Sequence, residues 1–153
     1  MTIELRSEHP SGPALARRVR ARARVLLAAL GRPGSSLSIL LTTDGRIRTL
    51  NRRWRSVDHA TDVLSFPAHA PPGRGPDLGD LAISLDTARR RATRAGRSIG
   101  AEVDRYLVHG LLHLAGHDHQ KPAEAREMAR IEDELLGRSG MVGDAIGPRP
   151  GVR

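Results

Sequence analysis

Cysteine is missing from this 153-residue chain, which excludes a disulfide framework and any thiolate metal site and fits a reducing compartment. Aromatic side chains are nearly missing too. Trp54, Phe66 and Tyr106 are the whole set, so the core has to be built from Leu, Ile, Val and Ala. A sheet carrying several aromatics on which RNA bases stack is excluded by the same scarcity. Lysine is reduced to Lys121, and every other one of the 25 basic residues is Arg. The longest apolar run, Val25–Leu30, falls far short of the roughly 20 residues that span a bilayer. Met1–Pro10 has no apolar stretch of the kind that marks a secretory signal. The expectation is a soluble cytoplasmic protein with no membrane partner, of a length that suits one domain able to fold without a staple.

Positive charge is in excess, and it is uneven. Residues 1–55 carry 12 Arg against Glu4, Glu8 and Asp44, whereas residues 56–106 carry seven charges of each sign. Residues 107–153 hold six basic and seven acidic residues, so the formal net charge of +8 belongs to the first third. A local field of that sign suits a polyanion, and Arg can grip phosphate with two donors and stack on bases. An Arg- and Ala-rich composition of no functional meaning is the plain alternative.

The periodicities alternate between strand and helix. Thr2–Arg6 alternates apolar and polar as a half-buried strand does. Ser11 is a helix cap with Pro13 in the first turn, and Leu15, Val19, Ala23, Leu26 and Leu30 form one apolar stripe opposite Arg17, Arg20 and Arg24, ended at Gly31. Ser38–Thr43 reads as a buried strand, residues 46–54 as a short helix with Ile47 and Leu50 inward, and Asp62–Phe66 as a strand stopped by Pro67. Residues 68–77 read as a loop, Leu81–Leu85 as a strand and residues 86–95 as a helix closed by Gly96. Ser98 opens a longer helix through Val103, Tyr106, Leu107, Leu111 and Leu114 to Gly116. After Pro122 a last helix uses Ala125, Met128, Ile131 and Leu135, and ends at Gly137. This pattern predicts a single small α+β domain over residues 1–137, with a mixed sheet of about four strands. Residues 138–153, rich in Gly and Pro, read as a flexible tail.

Four of the seven histidines fall in residues 109–119, His-Gly-Leu-Leu-His-Leu-Ala-Gly-His-Asp-His. His109 and His113 are four apart, so a helix puts both rings on one face. Gly116 can take the left-handed conformation that ends a helix, and His119 then returns to the same point. Three imidazoles with an open fourth position are the ligand set of a catalytic zinc, which makes a bound water acidic near neutral pH. Nickel or copper would also suit three imidazoles. The spacing H-x-x-x-H-x-x-G-x-x-H is shared with metzincin peptidases, but these need a Glu after the first His, where Gly110 stands here. His117 is read as a neighbour of the ligands or a bystander.

The same cluster, followed by Glu124, Ala125, Met128 and Glu132, resembles the signature of the YbeY family of bacterial rRNA maturation endoribonucleases. Leu50-Asn51-Arg52-Arg53-Trp54-Arg55, with Asp58 and then Thr61-Asp62-Val63-Leu64-Ser65-Phe66-Pro67, resembles a second family block. Leu78-Gly79-Asp80-Leu81-Ala82-Ile83-Ser84 resembles a third, and the likeness runs from about residue 37 to residue 136. His117 stands where the family commonly has Tyr. The resemblance implies a small sheet with a central helix carrying the first two ligands, and a metal ion, usually taken as zinc, on His109, His113 and His119. It implies a functional arginine at Arg55 and single-strand endoribonuclease action in 16S rRNA 3′-end maturation and ribosome quality control. The expected partners are RNA, the small ribosomal subunit and ribosome-associated proteins; DNA is not expected.

On that basis Arg55 is the catalytic candidate, clamping the phosphate and stabilising charge that develops on it. Arg52 and Arg53 are candidates for contact with the RNA backbone. Attack by water and attack by the RNA 2′-hydroxyl both stay open, because no general base is evident near the cluster. Asp118 could orient a ligand His. Asp62 and Asp80 read as turn residues or as partners of the site. Two other readings compete: an assembly factor with a structural metal and no catalysis, and another zinc hydrolase, of which a peptidase is disfavoured by Gly110.

Overall fold

The computed structural model describes residues 3–68 and 76–116, together with residues 126, 130, 131, 133, 134, 136 and 137. The chain runs β1 (Ile3–Ser7), α1 (Gly12–Ala29), β2 (Ser36–Thr42), α2 (Asp44–Arg55), β3 (Val63–Pro67), β4 (Asp77–Ser84), α3 (Leu85–Ala95) and α4 (Ile99–Leu114). The strands form one mixed sheet in the order β1-β2-β4-β3. β1 and β4 both run parallel to β2, and β3 closes the other edge antiparallel to β4. The α+β expectation holds, sheet size included.

One sheet face is fully covered. Leu37, Ile39 and Leu41 of β2 and Leu81 and Ile83 of β4 meet α1 and α4 there, in a core that also takes in Leu26, Leu27, Leu107 and Leu111. Tyr106 is buried in the same core. The other face is covered only in part, by α2, through Ile47, Leu64 and Ala82 with Leu50 and Phe66 half-buried beside them. β2 therefore alternates buried and half-buried residues instead of being covered on both sides, as its apolar run suggests. Ile131 and Leu136 are helical and pack on the core. Ala125, Met128 and Leu135 lie outside the described residues, as does the 138–153 segment.

Several boundaries differ from the periodicity reading for local reasons. Leu85 starts α3 instead of ending β4, because the Ser84 side chain accepts from Thr87 N and caps the helix there. α2 likewise starts at Asp44, with Thr43 as its cap accepting from Arg46 N. Ser11 precedes α1 but makes no side-chain cap; its hydroxyl accepts instead from Arg89 of α3. In α1 the deepest stripe residues include Leu27, while Leu30 sits past the helix end, half-buried. The arginines of α1 are also less free than an amphipathic reading implies. Arg18 binds Asp104 with two donors at 2.7 and 3.3 Å, and Arg20 donates to the Ile3 carbonyl at 2.6 Å.

α4 approaches the sheet at a glycine. A Cβ on Gly110 would stand 2.6 Å from Leu81 Cδ2 and 3.3 Å from Val63 Cγ2, so only a residue without a side chain lets the helix lie this close. Gly79 is tighter still. Its φ is +123°, and a Cβ there would meet the Phe66 carbonyl oxygen at 2.2 Å and Ala68 N at 2.8 Å. Gly79→Ala is therefore expected to lower the unfolding free energy by at least about 2 kcal/mol. A urea melt measures it, and an unchanged midpoint would contradict the observed β3–β4 pairing.

Candidate active site

The final two turns of α4 place His109 and His113 as the i, i+4 spacing predicts. Their Nε2 atoms are 3.2 Å apart and the rings meet edge to face, with centroids 4.7 Å apart. His109 is buried at 5% exposure and His113 is half-buried, so the pair lies at the border of core and solvent. Two nitrogens bound to one tetrahedral zinc at about 2.0–2.1 Å stand about 3.3 Å apart. The observed separation of 3.2 Å is close to that spacing. Gly116 follows with a φ of +100° and donates to the His113 carbonyl at 3.0 Å, ending the helix as expected. His117, Asp118 and His119 lie outside the described residues.

Gly110 settles one chemical question at this site. Its missing side chain faces Leu81 and Val63 in the core, away from open space. A carboxylate in this position, the peptidase general base, would have no room on this backbone.

Arg55 arrives from the opposite sheet face. It is the last residue of α2, and Ser56 behind it is left-handed, with φ +58°. Asn51 holds that turn: its carbonyl accepts from Val57 N at 3.2 Å and its amide donates to the His59 carbonyl at 3.0 Å. The Arg55 guanidinium reaches over edge strand β3, where it donates to the Ser65 carbonyl and lies 5.4 Å from the Phe66 ring centre. The residue keeps more than a third of its surface exposed, yet crowding by β3 desolvates the guanidinium and draws its pKa somewhat below the ordinary value. It stays charged, as Arg does in any protein environment near neutral pH. The hydroxyl of the same Ser65 donates to the Gly110 carbonyl at 3.3 Å. One β3 residue thus ties the arginine to the helix turn that bears His109.

The other two arginines are differently engaged. Arg52 lies 3.7 Å from Asp58, which Arg48 also holds at 2.9 Å, and Arg53 packs on Trp54 at 5.2 Å. Both remain exposed at the end of α2.

Asp62 and Asp80 part company. Asp62 is 1% exposed and accepts from Val63 N at 2.7 Å, Thr61 Oγ1 at 3.2 Å and Arg91 Nη1 at 2.7 Å. Burial alone would lower the Arg91 pKa, but the charges and hydrogen bonds of Asp62 and Tyr106 together hold its guanidinium above the ordinary value. Tyr106 packs at the same place, its hydroxyl kept protonated well beyond the usual phenol range by burial and by Glu102. Asp62 is thus the anchor of a buried polar cluster behind the site. Asp80, by contrast, is exposed on the half-covered face.

Periodicity carries no sign of the ion pair between Arg97 and Glu102, 2.6 Å apart and buried on both sides. An Arg just before a helix cap, followed by an acid in the first turn of an otherwise apolar helix, is the available signal.

Comparison with known proteins agrees with this architecture. The sequence profile of the family described as Endoribonuclease YbeY matches residues 13–140. A protein of Anaeromyxobacter dehalogenans with that name is 62% identical over 146 residues, covering 95% of this chain and 76% of the relative. The Thermus thermophilus protein of the same name is 45% identical over 121 residues, covering 78% of this chain and 87% of its own length. The solution structure of TM1509 from Thermotoga maritima superposes with a TM-score of 0.61 at 20% identity over 99% of both chains, a likeness of fold.

Removing one member of a buried ion pair strands the other, at a cost of about 3–5 kcal/mol when both are buried. Because Arg91 keeps 28% of its side chain in water, Asp62→Ala is expected to destabilise the fold by roughly 2–3 kcal/mol. Chemical unfolding is the check, and a loss below about 1 kcal/mol, the range of exposed pairs, would show that Asp62 does not anchor the cluster.

Proposed function

Because the chain belongs to the endoribonuclease YbeY family, we propose that it is a zinc-dependent, single-strand-specific endoribonuclease that matures the 3′ end of 16S rRNA in the cytoplasm. The observation that carries the reading is the pairing of His109 and His113 at 3.2 Å with Arg55 tied to the same helix turn through Ser65. His109, His113 and His119 would hold the metal. Bound there, zinc supplies Lewis-acid polarisation of a phosphoryl oxygen.

The remaining work falls to the chain itself. Arg55 is mounted on a helix end and steadied by the Ser65 carbonyl and the Phe66 ring, so little rotamer freedom is left to lose when it takes a phosphate oxygen. With one donor on the Ser65 carbonyl, its remaining donors can hold two oxygens of one phosphodiester and stabilise the extra negative charge of the transition state. Burial of His109 fixes its ring and excludes water from the core side of the site. Arg52 and Arg53, one turn from Arg55 or less, would meet the phosphates on either side. RNA in the small ribosomal subunit is the proposed substrate, and residues 1–137 are the proposed catalytic domain. Among the described residues no helix is long and apolar enough to cross a membrane.

The test is cleavage of a single-stranded RNA carrying the 16S 3′ end by the wild type, by chelator-treated protein and by Arg55→Ala, with metal content and far-UV circular dichroism on each. Cleavage should follow bound zinc. It should fall about 100-fold or more in folded Arg55→Ala, the scale of losing one preorganised donor to a developing charge. A deoxyribose at the cut position separates the two attack routes, since it stops only attack by the 2′-hydroxyl. RNA binding without cleavage in every sample would contradict the nuclease reading and favour an assembly factor. Equal cleavage in all three would remove Arg55 and the metal from the chemistry.

A further inference from the structure

The half-covered sheet face holds a groove of about 510 Å³ to which the proposed chemistry gives no ligand, though its Phe66 ring also steadies Arg55. Its floor includes one row of the sheet, Glu4 beside Ser38, Ser38 beside Asp80 and Asp80 beside Phe66. Its wall is α2, which contributes Trp54. That indole is 63% exposed, the larger of two exposed large apolar side chains among the described residues, and it stands on a groove whose floor holds a second aromatic ring. Arg6 and Arg46 also line the groove.

We propose that this groove is a subsite for one unpaired guanine of the RNA, with Trp54 stacking on the base and the Asp80 carboxylate accepting from its Watson–Crick edge. An ionised carboxylate only accepts hydrogen bonds. Guanine alone among the four RNA bases presents two adjacent donors, N1–H and an N2 amino hydrogen, to match the two carboxylate oxygens. Adenine and cytosine offer an amino group beside an acceptor, and uracil one N–H between two acceptors. Partial burial lifts the Asp80 pKa, Asp77 and Glu4 lift it further, and only the Ser38 hydroxyl opposes them, so negative charge is crowded where a donor edge would relieve it. Arg6 and Arg46 are placed to face the phosphates of the same nucleotide and its neighbour. Scarcity of aromatics rules out a platform for several bases, but a single base needs only the ring already there. The proposal rests on RNA being the substrate, as argued above. It places the recognised base near β3, the strand over which Arg55 reaches.

Trp54 is the sole tryptophan of the chain, so its fluorescence reports directly on the groove. Guanosine monophosphate should quench it saturably and bind about tenfold or more tighter than the adenosine, cytidine and uridine monophosphates, the scale of one good bidentate contact to a base. Signals are corrected against free tryptophan. Asp80→Asn, checked for fold by circular dichroism, should abolish that preference, because its amide puts a donor where an acceptor is needed. Equal quenching by all four nucleotides, or a guanine preference that survives Asp80→Asn, overturns the proposal. So does quenching by an Arg-rich peptide with none by nucleotides, which would make the groove a protein-docking face. The outcomes are independent of the nuclease reading: cleavage without guanine binding sinks the groove alone, and guanine binding without cleavage sinks the nuclease alone.

Discussion

Helix α4 has no solvent face along most of its length, and the rest of the molecule is arranged around that constraint. Of its 16 residues only Ile99 and His113 escape full burial. A helix buried all round is normally apolar, yet this one carries Glu102, Asp104, Arg105, Tyr106 and His109. Each buried charge needs a partner, because an isolated one costs several kcal/mol in a protein interior. Arg97 meets Glu102, while Arg18 and Arg22 of α1 meet Asp104. These pairs fix the rotation of α4 about its own axis. Gly110 fixes its height above the sheet. With rotation and height both set, His109 and His113 have one place to point.

Several arginines of the basic first third are engaged in structural contacts. Arg18, Arg22 and Arg20 of α1 are committed to Asp104 and to the Ile3 carbonyl. Arg46 lies 3.8 Å from Glu8, and Arg48 holds Asp58. Arg52, Arg53 and Arg55, the arginines proposed to meet RNA, are concentrated in the last turn of α2, where they also oppose the negative end of the helix dipole.

Much of this is legible in the chain. Apolar runs and periodicities locate every described strand and helix to within about four residues at the ends, and the His109–His113 spacing puts both rings on one face of α4. Helix starts are hard to read where a polar residue can serve as cap or as strand end, as at Ser84 and Thr43. The half-covered sheet face is hidden for a different reason. Leu40 is as apolar as its neighbours Ile39 and Leu41, although those two face the covered side and Leu40 faces the open one. What leaves that face open is the short span of α2 across it, a tertiary fact. The buried Arg97–Glu102 pair is equally hard to foresee, because charge spacing alone does not distinguish a solvated pair from one sealed in a core.

The central claim is that His109 and His113 share one metal ion with a third imidazole. X-ray absorption at the zinc edge of the zinc-loaded full chain tests this most directly. Three imidazole nitrogens at about 2.0–2.1 Å and one further light-atom ligand are the expected shell. A shell of oxygens alone, or one with a single imidazole, would contradict it.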